Sequence, residues 1–382
     1  MKFLDSFWKK NPFLILAYLF VNFLFVYKYS ARITSLYLTL SLLYSVMVVL
    51  VIEFMLRKRE TFRVLNKQTI YLPIVILLAV LYAVAMFHID PFGTRVGRYP
   101  ALYTFIHRLL SGDFPYVPGQ NISGFPFLFF LLIPFYLIGD LGLFQICSFV
   151  IFSIIVHKKY AKEKASYIPL FLLVLSPAFL YEVMVRSELF SNMVFIVFLF
   201  YILERVKPIK STKALFFSGI LAGFLLSTRG IVLLPYLIFF IFYFKKDIKS
   251  LIFFGLSAAL GFMITFVPFL LWNKELFFTN NPLTIQKSYI PNLLLFISVL
   301  LCILLAISAD TFKKVYFSTT KVLFVVVLLC FILNIYHASF KQGVLVSFDI
   351  SYFCFCLPYL LLSFEFRKNS SPVKNRRLSE NL

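Results

Sequence analysis

The stretch from His88 to Gly124 is a long polar loop in a chain that is otherwise nearly all apolar. Its first acid, Asp90, is the last residue of VAMFHID, the segment that ends a long apolar run. A carboxylate held at the end of a rigid helix can act as a general base and take a proton from an acceptor hydroxyl. Loops of this length inside a compact domain usually carry function. Asp90 is therefore a candidate catalytic base; the alternative is a helix-end acid that only precedes the turn at Pro91.

The same loop carries three arginines, which are candidate phosphate ligands because a guanidinium presents a planar fork of donors. They are Arg95, Arg98 and Arg108. From Tyr99 to Leu110 the apolar residues recur at helical spacing and a glycine follows, which predicts a short amphipathic helix along the outer membrane surface. Arginines beside such a helix can instead reach lipid headgroups. Both interpretations stay open.

Later turns place more charged residues beside apolar runs, where each ionised group is costly unless it is paired or functional. The turn VMVRSELFSN contains Arg186 and Glu188, and Arg229 stands alone in GFLLSTRGIVLLP. Arg229 needs an anionic partner, either a ligand phosphate or a carboxylate such as Glu188. Glu182 is more simply explained as part of a salt-bridged turn, and a lone histidine such as His337 is more often structural.

The composition of the whole chain indicates a membrane protein. Its 382 residues are 61% hydrophobic and only 14% charged, with a mean hydropathy of +0.92, which is typical of membrane spans and not of soluble domains. The net charge of +21 does not indicate nucleic acid, because the basic residues form short clusters between apolar runs, as the positive-inside rule produces. The lipid bilayer is the expected partner. Twelve spans are predicted, at about 12–28, 36–56, 70–88, 141–156, 167–183, 189–203, 214–227, 231–244, 250–271, 291–308, 322–337 and 348–366.

The apolar run at 125–138 decides the topology. Its 14 residues make a helix of about 21 Å, too short for a hydrocarbon core of about 30 Å. If it does not span, 27 of the 37 Lys and Arg residues fall on one side, which is then predicted to be cytoplasmic together with both termini. The alternative has thirteen spans. The predicted parts are two N-terminal spans at 1–69, a membrane module at 70–366 with its outer loop at 88–124, and a basic cytoplasmic tail at 367–382.

Cofactor chemistry finds little support in the sequence. All five cysteines lie inside apolar runs, where buried thiols are expected more than disulfides or a metal site. No P-loop, GxSxG, HExxH or zinc spacing occurs, which argues against a pump driven by its own nucleotide site. No cofactor is predicted; a divalent metal remains an open option that no residue pattern supports.

The order of these segments resembles the integral-membrane glycosyltransferases of the GT-C fold, in particular the mannosyltransferase-like families that use polyprenyl-phosphate sugars. The resemblance rests on Asp90, followed by RYPALYTFIHRLLSGDFPY, GFPFLFFLLIPFYLIG, SPAFLYEVMVRSELFSN and LAGFLLSTRG, and covers roughly residues 70–235. Many of these enzymes carry an acidic pair in the first outer loop, whereas here Asp90 is followed by Pro91.

The resemblance implies an all-α, GT-C-like membrane fold and a hexosyl transfer from a polyprenyl-phosphate donor to an acceptor hydroxyl at the outer face, with inversion. Asp90 would deprotonate the acceptor, and arginines would stabilise the leaving lipid phosphate. The implied donor-phosphate ligands are Arg186, Arg229, Arg95 and Arg98. The implied sugar or acceptor contacts are Glu188, Tyr99, Tyr116, Asp113 and His337.

Two other functions remain as alternatives. A polymerase or ligase of the O-antigen type usually has its large arginine-bearing loop later in the chain. A non-enzymatic transporter or flippase of lipid-linked sugars would need polar residues through the membrane, and the spans hold few. The Lys-, Ile- and Phe-rich composition is typical of an AT-rich bacterium. The expected location is therefore a bacterial cytoplasmic membrane, with the site facing outward and a role in cell-envelope glycan synthesis.

Overall fold

The computed structural model describes residues 7–94, 96–120, 122–163, 165–205, 209, 211–280, 282–287 and 290–366, and the predicted tail at 367–382 lies outside these ranges. Every regular element within them is helical. The α-helices of six or more residues are α1 (Pro12–Ser30), α2 (Tyr37–Arg57), α3 (Gln68–Phe87), α4 (Tyr99–Leu110), α5 (Pro126–Ile138), α6 (Leu143–Tyr160), α7 (Tyr167–Val174), α8 (Pro177–Met184), α9 (Leu189–Arg205), α10 (Thr212–Leu226), α11 (Leu233–Tyr243), α12 (Ile248–Trp272), α13 (Lys274–Thr279), α14 (Pro282–Lys287), α15 (Asn292–Ser308), α16 (Phe312–Ala338) and α17 (Leu357–Leu362).

Among the described residues, six helices are long and apolar enough to cross a membrane: α1, α2, α3, α6, α12 and α16. The number is nine if three bent helix pairs each form one span. One pair is α7 with α8, bent by 60°, and another is Phe340–Ser347 with Ile350–Leu362, bent by 74°. The predicted all-α, multi-pass architecture agrees with this. Helices α9, α10 and α11 lie where spans were predicted but have only 17, 15 and 11 residues, so the number of twelve spans stays a prediction.

A side chain of α1 stabilises the bend between α7 and α8 through hydrogen bonds. Pro177 lacks a backbone N–H and begins a new helix. The Ser176 hydroxyl accepts from the amide of Phe179 at 3.3 Å and donates to Oδ1 of Asn22 at 2.6 Å. The amide of Ala178 donates to the same Asn22 oxygen at 3.2 Å. Asn22 is fully buried, so α1 determines the direction in which α8 leaves the core.

Helices α10 and α12 pack closely because glycines line their contact. A Cβ atom at Gly223 would overlap the carbonyl oxygen of Ala258, and one at Gly261 would overlap the carbonyl oxygen of Ile220. Gly219 and Gly223 are four residues apart, which is the spacing of small residues that lets membrane helices approach each other. This pair supports the turn after α10, which carries Arg229.

Basic segments meet at one end of the bundle, here called the basic end, which comprises the described residues of 7–11, 57–67, 157–166, 204–213, 243–249, 308–316 and 361–366. Arg59 donates to the carbonyl oxygen of Glu163 at 2.6 Å, and Lys245 donates to that of Ala309 at 2.6 Å. Lys313 lies 2.9 Å from Glu365. The contacts join several of the basic segments that were predicted to share a side; the common side of all of them, and its orientation, stay predictions.

The opposite end, here called the loop end, comprises Lys28 and the described residues of 86–125, 139–142, 184–188, 227–230, 272–290 and 348–352. Helix α5 touches this end twice. At its start the amide of Phe125 donates to the carbonyl oxygen of Thr228 at 2.9 Å. After its last turn Asp140 forms an ion pair with Arg186. Both ends of this helix, which is about 20 Å long, thus contact the loop end; that it does not cross the membrane stays a prediction.

Candidate functional site

A buried ion pair between Glu188 and Arg229 lies at the loop end. Glu188 directly precedes α9, and Arg229 follows α10. Nη2 of Arg229 donates to Oε1 of Glu188, and Nη1 donates to the Ser123 hydroxyl at 3.2 Å. The two side chains are 3% and 0% exposed. Of the two partners that the sequence left open for Arg229, the structure contains the carboxylate.

The pair keeps unused hydrogen-bonding capacity. Oε2 of Glu188 and Nε of Arg229 have no hydrogen-bond partner within the described part of the chain. Burial raises the pKa of Glu188. The guanidinium groups of Arg229 and Arg98 together lower it by a larger amount, so the pKa lies below its ordinary value. The carboxylate is therefore ionised at neutral pH. Buried polar atoms in native proteins normally have a partner, so this free donor and acceptor are suited to a ligand.

Arg229 also lines an apolar cavity of about 370 Å³. Among the described residues, the cationic and amide side chains that line it are Arg229, Gln286 and Lys287. These three residues are neighbours. Gln286, which precedes Lys287, accepts a hydrogen bond at 2.8 Å from the amide of Gly230, the residue after Arg229. Gln286 also donates to the carbonyl oxygen of Ser123, whose hydroxyl binds Arg229. The cavity is thus apolar along its walls and cationic at one place. The apolar walls include Leu233, Leu234, Leu295, Val326, Val327, Cys330, Phe348 and Phe355.

A second charge cluster borders the cavity through Tyr352, which is one of its lining residues. Nη2 of Arg98 donates to Oδ2 of Asp349 at 2.6 Å, and the Arg98 guanidinium lies 5.0 Å from the Tyr352 ring centre. Lys28 of α1 donates to the carbonyl oxygen of Phe348 at 2.7 Å. The structure therefore brings Arg98, a predicted phosphate ligand, to the edge of the site, where its first partner is Asp349.

Arg186, another predicted phosphate ligand, is 2% exposed and is surrounded by acceptors. Its Nε donates to Asp140 at 3.0 Å, and its Nη2 donates to the same carboxylate at 3.0 Å and to the carbonyl oxygen of Met86 at 3.0 Å. Its Nη1 donates to the carbonyl oxygens of Ile89 at 3.0 Å and Met184 at 3.4 Å. All five N–H groups are thus engaged inside the protein, and phosphate binding by Arg186 stays a prediction.

Asp90, the predicted base, is exposed at the end of α3. Its Oδ1 accepts a hydrogen bond from the amide of Phe92 at 3.0 Å, which closes a local turn. Asp90 is not among the residues that line the cavity. It follows Ile89, whose carbonyl oxygen binds Arg186, and this contact ties Asp90 to the turn that carries Glu188.

The two tyrosines predicted to contact the sugar are buried in the packing of the outer loop. Tyr99 begins α4 and is 5% exposed, with the Arg186 guanidinium 5.6 Å from its ring centre. Tyr116 is fully buried, and its hydroxyl donates to the carbonyl oxygen of Gly124 at 3.1 Å. The predicted helix is present at Tyr99–Leu110, as the apolar spacing indicated.

Asp113 and His337, two of the three remaining predicted site residues, are not among the residues that line the cavity. Asp113 is exposed and lies 3.8 Å from Arg108. His337 is exposed in the last turn of α16. Arg95 lies outside the described residues. Binding roles for these three residues stay predictions.

Several residues of the site were missed in the sequence, because neutral or isolated polar residues carry no local signal. Ser123 and Gln286 form hydrogen bonds to Arg229 and to its neighbour Gly230. Asp140 is a single acid after a short apolar run, and its place between two glycines in GDLG was the only hint. Only the packing of distant segments shows that these side chains meet.

Within the described ranges, no three His, Cys, Asp or Glu side chains form a group that could hold a metal ion. No family model, curated protein or solved structure matches the chain. The fold and the site therefore define a class: an all-helical protein with the long apolar helices of a multi-pass membrane protein, and with a buried ion pair beside an apolar cavity.

Proposed function

We propose that the chain is an integral-membrane glycosyltransferase that moves a sugar from a polyprenyl phosphate to an acceptor hydroxyl, with inversion. The observation that carries this proposal is the apolar cavity lined by Arg229 and Lys287. Ligand sites are mostly apolar, with a few polar groups that fix orientation, and this one suits an apolar chain with an anionic head. The order of the motifs in residues 70–235, which resembles GT-C enzymes, supports the type of reaction.

The proposed donor site uses the cavity for the first part of the lipid chain. Lys287 and the free Nε of Arg229 would bind the phosphate and stabilise the charge that it gains as it leaves. Glu188 holds Arg229 in place through Oε1, and its free Oε2 would accept a hydrogen bond from a sugar hydroxyl. Arg98 is already paired with Asp349 and would add positive charge at the edge.

Asp90 is the proposed general base. It would take the proton of the acceptor hydroxyl, whose oxygen then forms a bond to the anomeric carbon. The bond from that carbon to the phosphate oxygen breaks on the opposite face, and the electron pair leaves with the lipid phosphate. Asp90 is exposed at the loop end, where an acceptor from outside the membrane can reach it.

The test is sugar transfer in proteoliposomes, with a set of polyprenyl-phosphate sugars as donors and envelope glycan as acceptor. Asp90→Asn should lower transfer by at least about 100-fold, the usual contribution of a general base. Asp310→Asn is the matched control, because Asp310 is also an exposed aspartate but lies at the basic end, paired with Lys314. Near-normal transfer by Asp90→Asn would overturn its role as base, and wild type that transfers from no donor would overturn the proposed activity.

Donor binding is tested separately. Lys287→Met should raise the KM for the donor by about tenfold, because one hydrogen bond to a charged group contributes about 1.5 kcal/mol. Lys274→Met is the control, since Lys274 belongs to the same connection after α12 but is absent from the cavity lining. An unchanged KM in Lys287→Met would contradict the phosphate site. Tight donor binding without any transfer would favour a transporter of lipid-linked sugars instead.

A further inference from the structure

We propose that Arg186 is a positioning residue, which touches neither donor nor acceptor but fixes Asp90 and Glu188 relative to each other. The effect of Arg186 on sugar transfer rests on the proposed function. Its effect on the backbone around Asp90 and Glu188 does not. The residues that form this clamp are Arg186 and Asp140, together with the carbonyl groups of Met86 and Ile89.

One side of the clamp holds the exit of α3. The last carbonyl groups of a helix have no partner within the helix, and here Arg186 donates to Met86 at 3.0 Å and to Ile89 at 3.0 Å. Asp90 is the next residue. Its backbone position is therefore set by a side chain that comes from nearly 100 residues further along the chain.

The other side of the clamp holds the turn of Glu188. Arg186 has φ +51°, a left-handed conformation that a residue other than glycine keeps only when its surroundings hold it. The amide of Ser187 donates to the carbonyl oxygen of Glu182 at 2.9 Å, and Gln145 donates to the carbonyl oxygen of Ser187 at 2.6 Å. The turn that begins at Arg186 is thus fixed two residues before Glu188.

Two glycines show how closely the segments pack around the clamp. A Cβ atom at Gly142 would overlap the sulfur of Met86 and would lie 2.7 Å from Cγ of Arg186. Gly97 has φ +94°, and a Cβ atom there would lie 2.9 Å from Cβ of Val185. The exit of α3, the outer loop, the turn after α5 and the turn before α9 therefore meet at one point.

The same contacts argue against phosphate binding by Arg186. To reach a phosphate, its guanidinium would have to leave the Asp140 carboxylate and three backbone carbonyl groups. Arg186 is 2% exposed and does not line the cavity. Positioning and phosphate binding differ in the KM for the donor, because a phosphate ligand contributes to donor binding as well as to kcat, whereas a positioning residue contributes to kcat alone.

The experiment compares Arg186→Lys, Arg186→Gln and Asp140→Asn in proteoliposomes that transfer sugar. We expect kcat to fall by about 100-fold in Arg186→Gln, as a displacement of about 1 Å can cause, with the KM for the donor unchanged. Arg186→Lys should retain more activity, since an ammonium can still bind Asp140. A raised KM for the donor, with or without a change in kcat, would show a phosphate ligand and overturn the proposal.

A second variant tests the clamp without removing a charge. Gly142→Ala adds one methyl group against Arg186 and Met86 and should lower kcat in the same way. Gly255→Ala is the control, because a Cβ atom at Gly255 meets nothing within 4 Å. A folded Gly142→Ala protein with a normal kcat would contradict positioning.

Hydrogen exchange separates this proposal from the proposed function. In Arg186→Gln the backbone amides of residues 88–94 and 187–188 should exchange faster than in wild type, whether or not the protein transfers sugar. Unchanged exchange in both segments would overturn the clamp. If the wild type transfers no sugar but the amides of Arg186→Gln still exchange faster, only the proposed glycosyltransferase activity is overturned.

Discussion

Removing one partner of the Glu188–Arg229 pair should destabilise the protein more than removing both. The two side chains are 0% and 3% exposed, so a lone charge left behind cannot be solvated. In Glu188→Leu the hydrogen bond to Ser123 at 3.2 Å is the one that the Arg229 guanidinium would keep among the described residues. Breaking a buried pair by removing one partner typically costs about 3–5 kcal/mol. We expect a loss in that range for Glu188→Leu and for Arg229→Met.

The double variant Glu188→Leu/Arg229→Met removes both charges and fills the space with apolar groups of similar size. Replacement of a whole buried pair is often close to neutral, so the double variant should be no less stable than the worse single variant. The resulting coupling between the two positions should be at least about 2 kcal/mol, within the range measured for contacting residues.

Unfolding in mixed micelles of increasing SDS fraction, followed by helical circular dichroism, measures these free energies. Glu60→Gln is the control, because Glu60 pairs with Arg63 at 3.3 Å but is 82% exposed. Removing such a surface partner should change the free energy of unfolding by less than about 1 kcal/mol. Additive effects of the two buried substitutions would refute the reasoning, since they would show that the two charges do not depend on each other.

Three further predictions concern stability. The folded pKa of Glu188 lies below its ordinary value, so the pair should stabilise the protein fully above pH about 4.3, the unfolded pKa. This contribution should disappear as the pH falls through the lower folded pKa, and Glu188→Gln should weaken the acid-induced loss of stability seen in wild type. Gly223→Ala should cost about 1–3 kcal/mol because its methyl group overlaps the α12 backbone, whereas Gly255→Ala, which meets no neighbour, should be neutral or stabilise by up to about 1 kcal/mol in the same SDS titration. Asn22→Leu should cost about 1–3 kcal/mol, since it leaves a hydroxyl and an amide at the α7–α8 bend unpaired; hydrogen exchange there should increase, and unchanged exchange would contradict this role.

Much of the architecture could be predicted from the sequence because it depends on local properties. Apolar run length indicated where the long helices lie, and apolar spacing predicted α4 at the residues where it is found. The short run at 125–138 is present as a 13-residue helix. Clusters of basic residues between apolar runs predicted which segments share a side, because the positive-inside rule applies to each such cluster along the chain.

Most partners within the site could not be predicted, because they come from distant segments; for Arg229 the sequence named Glu188 only as one of two options. Glu188 and Arg229 are 41 residues apart, and Arg98 and Asp349 are 251 residues apart. The sequence alone predicted that Glu188 and Arg229 lie beside apolar segments and that Arg229 needs an anionic partner. Only the tertiary structure decided that Arg229 pairs with Glu188 beside the cavity, and that Arg186 is enclosed by Asp140 and backbone carbonyl groups. The physical reason is that burial and pairing depend on which helices are neighbours, and residue spacing along one chain does not contain that information.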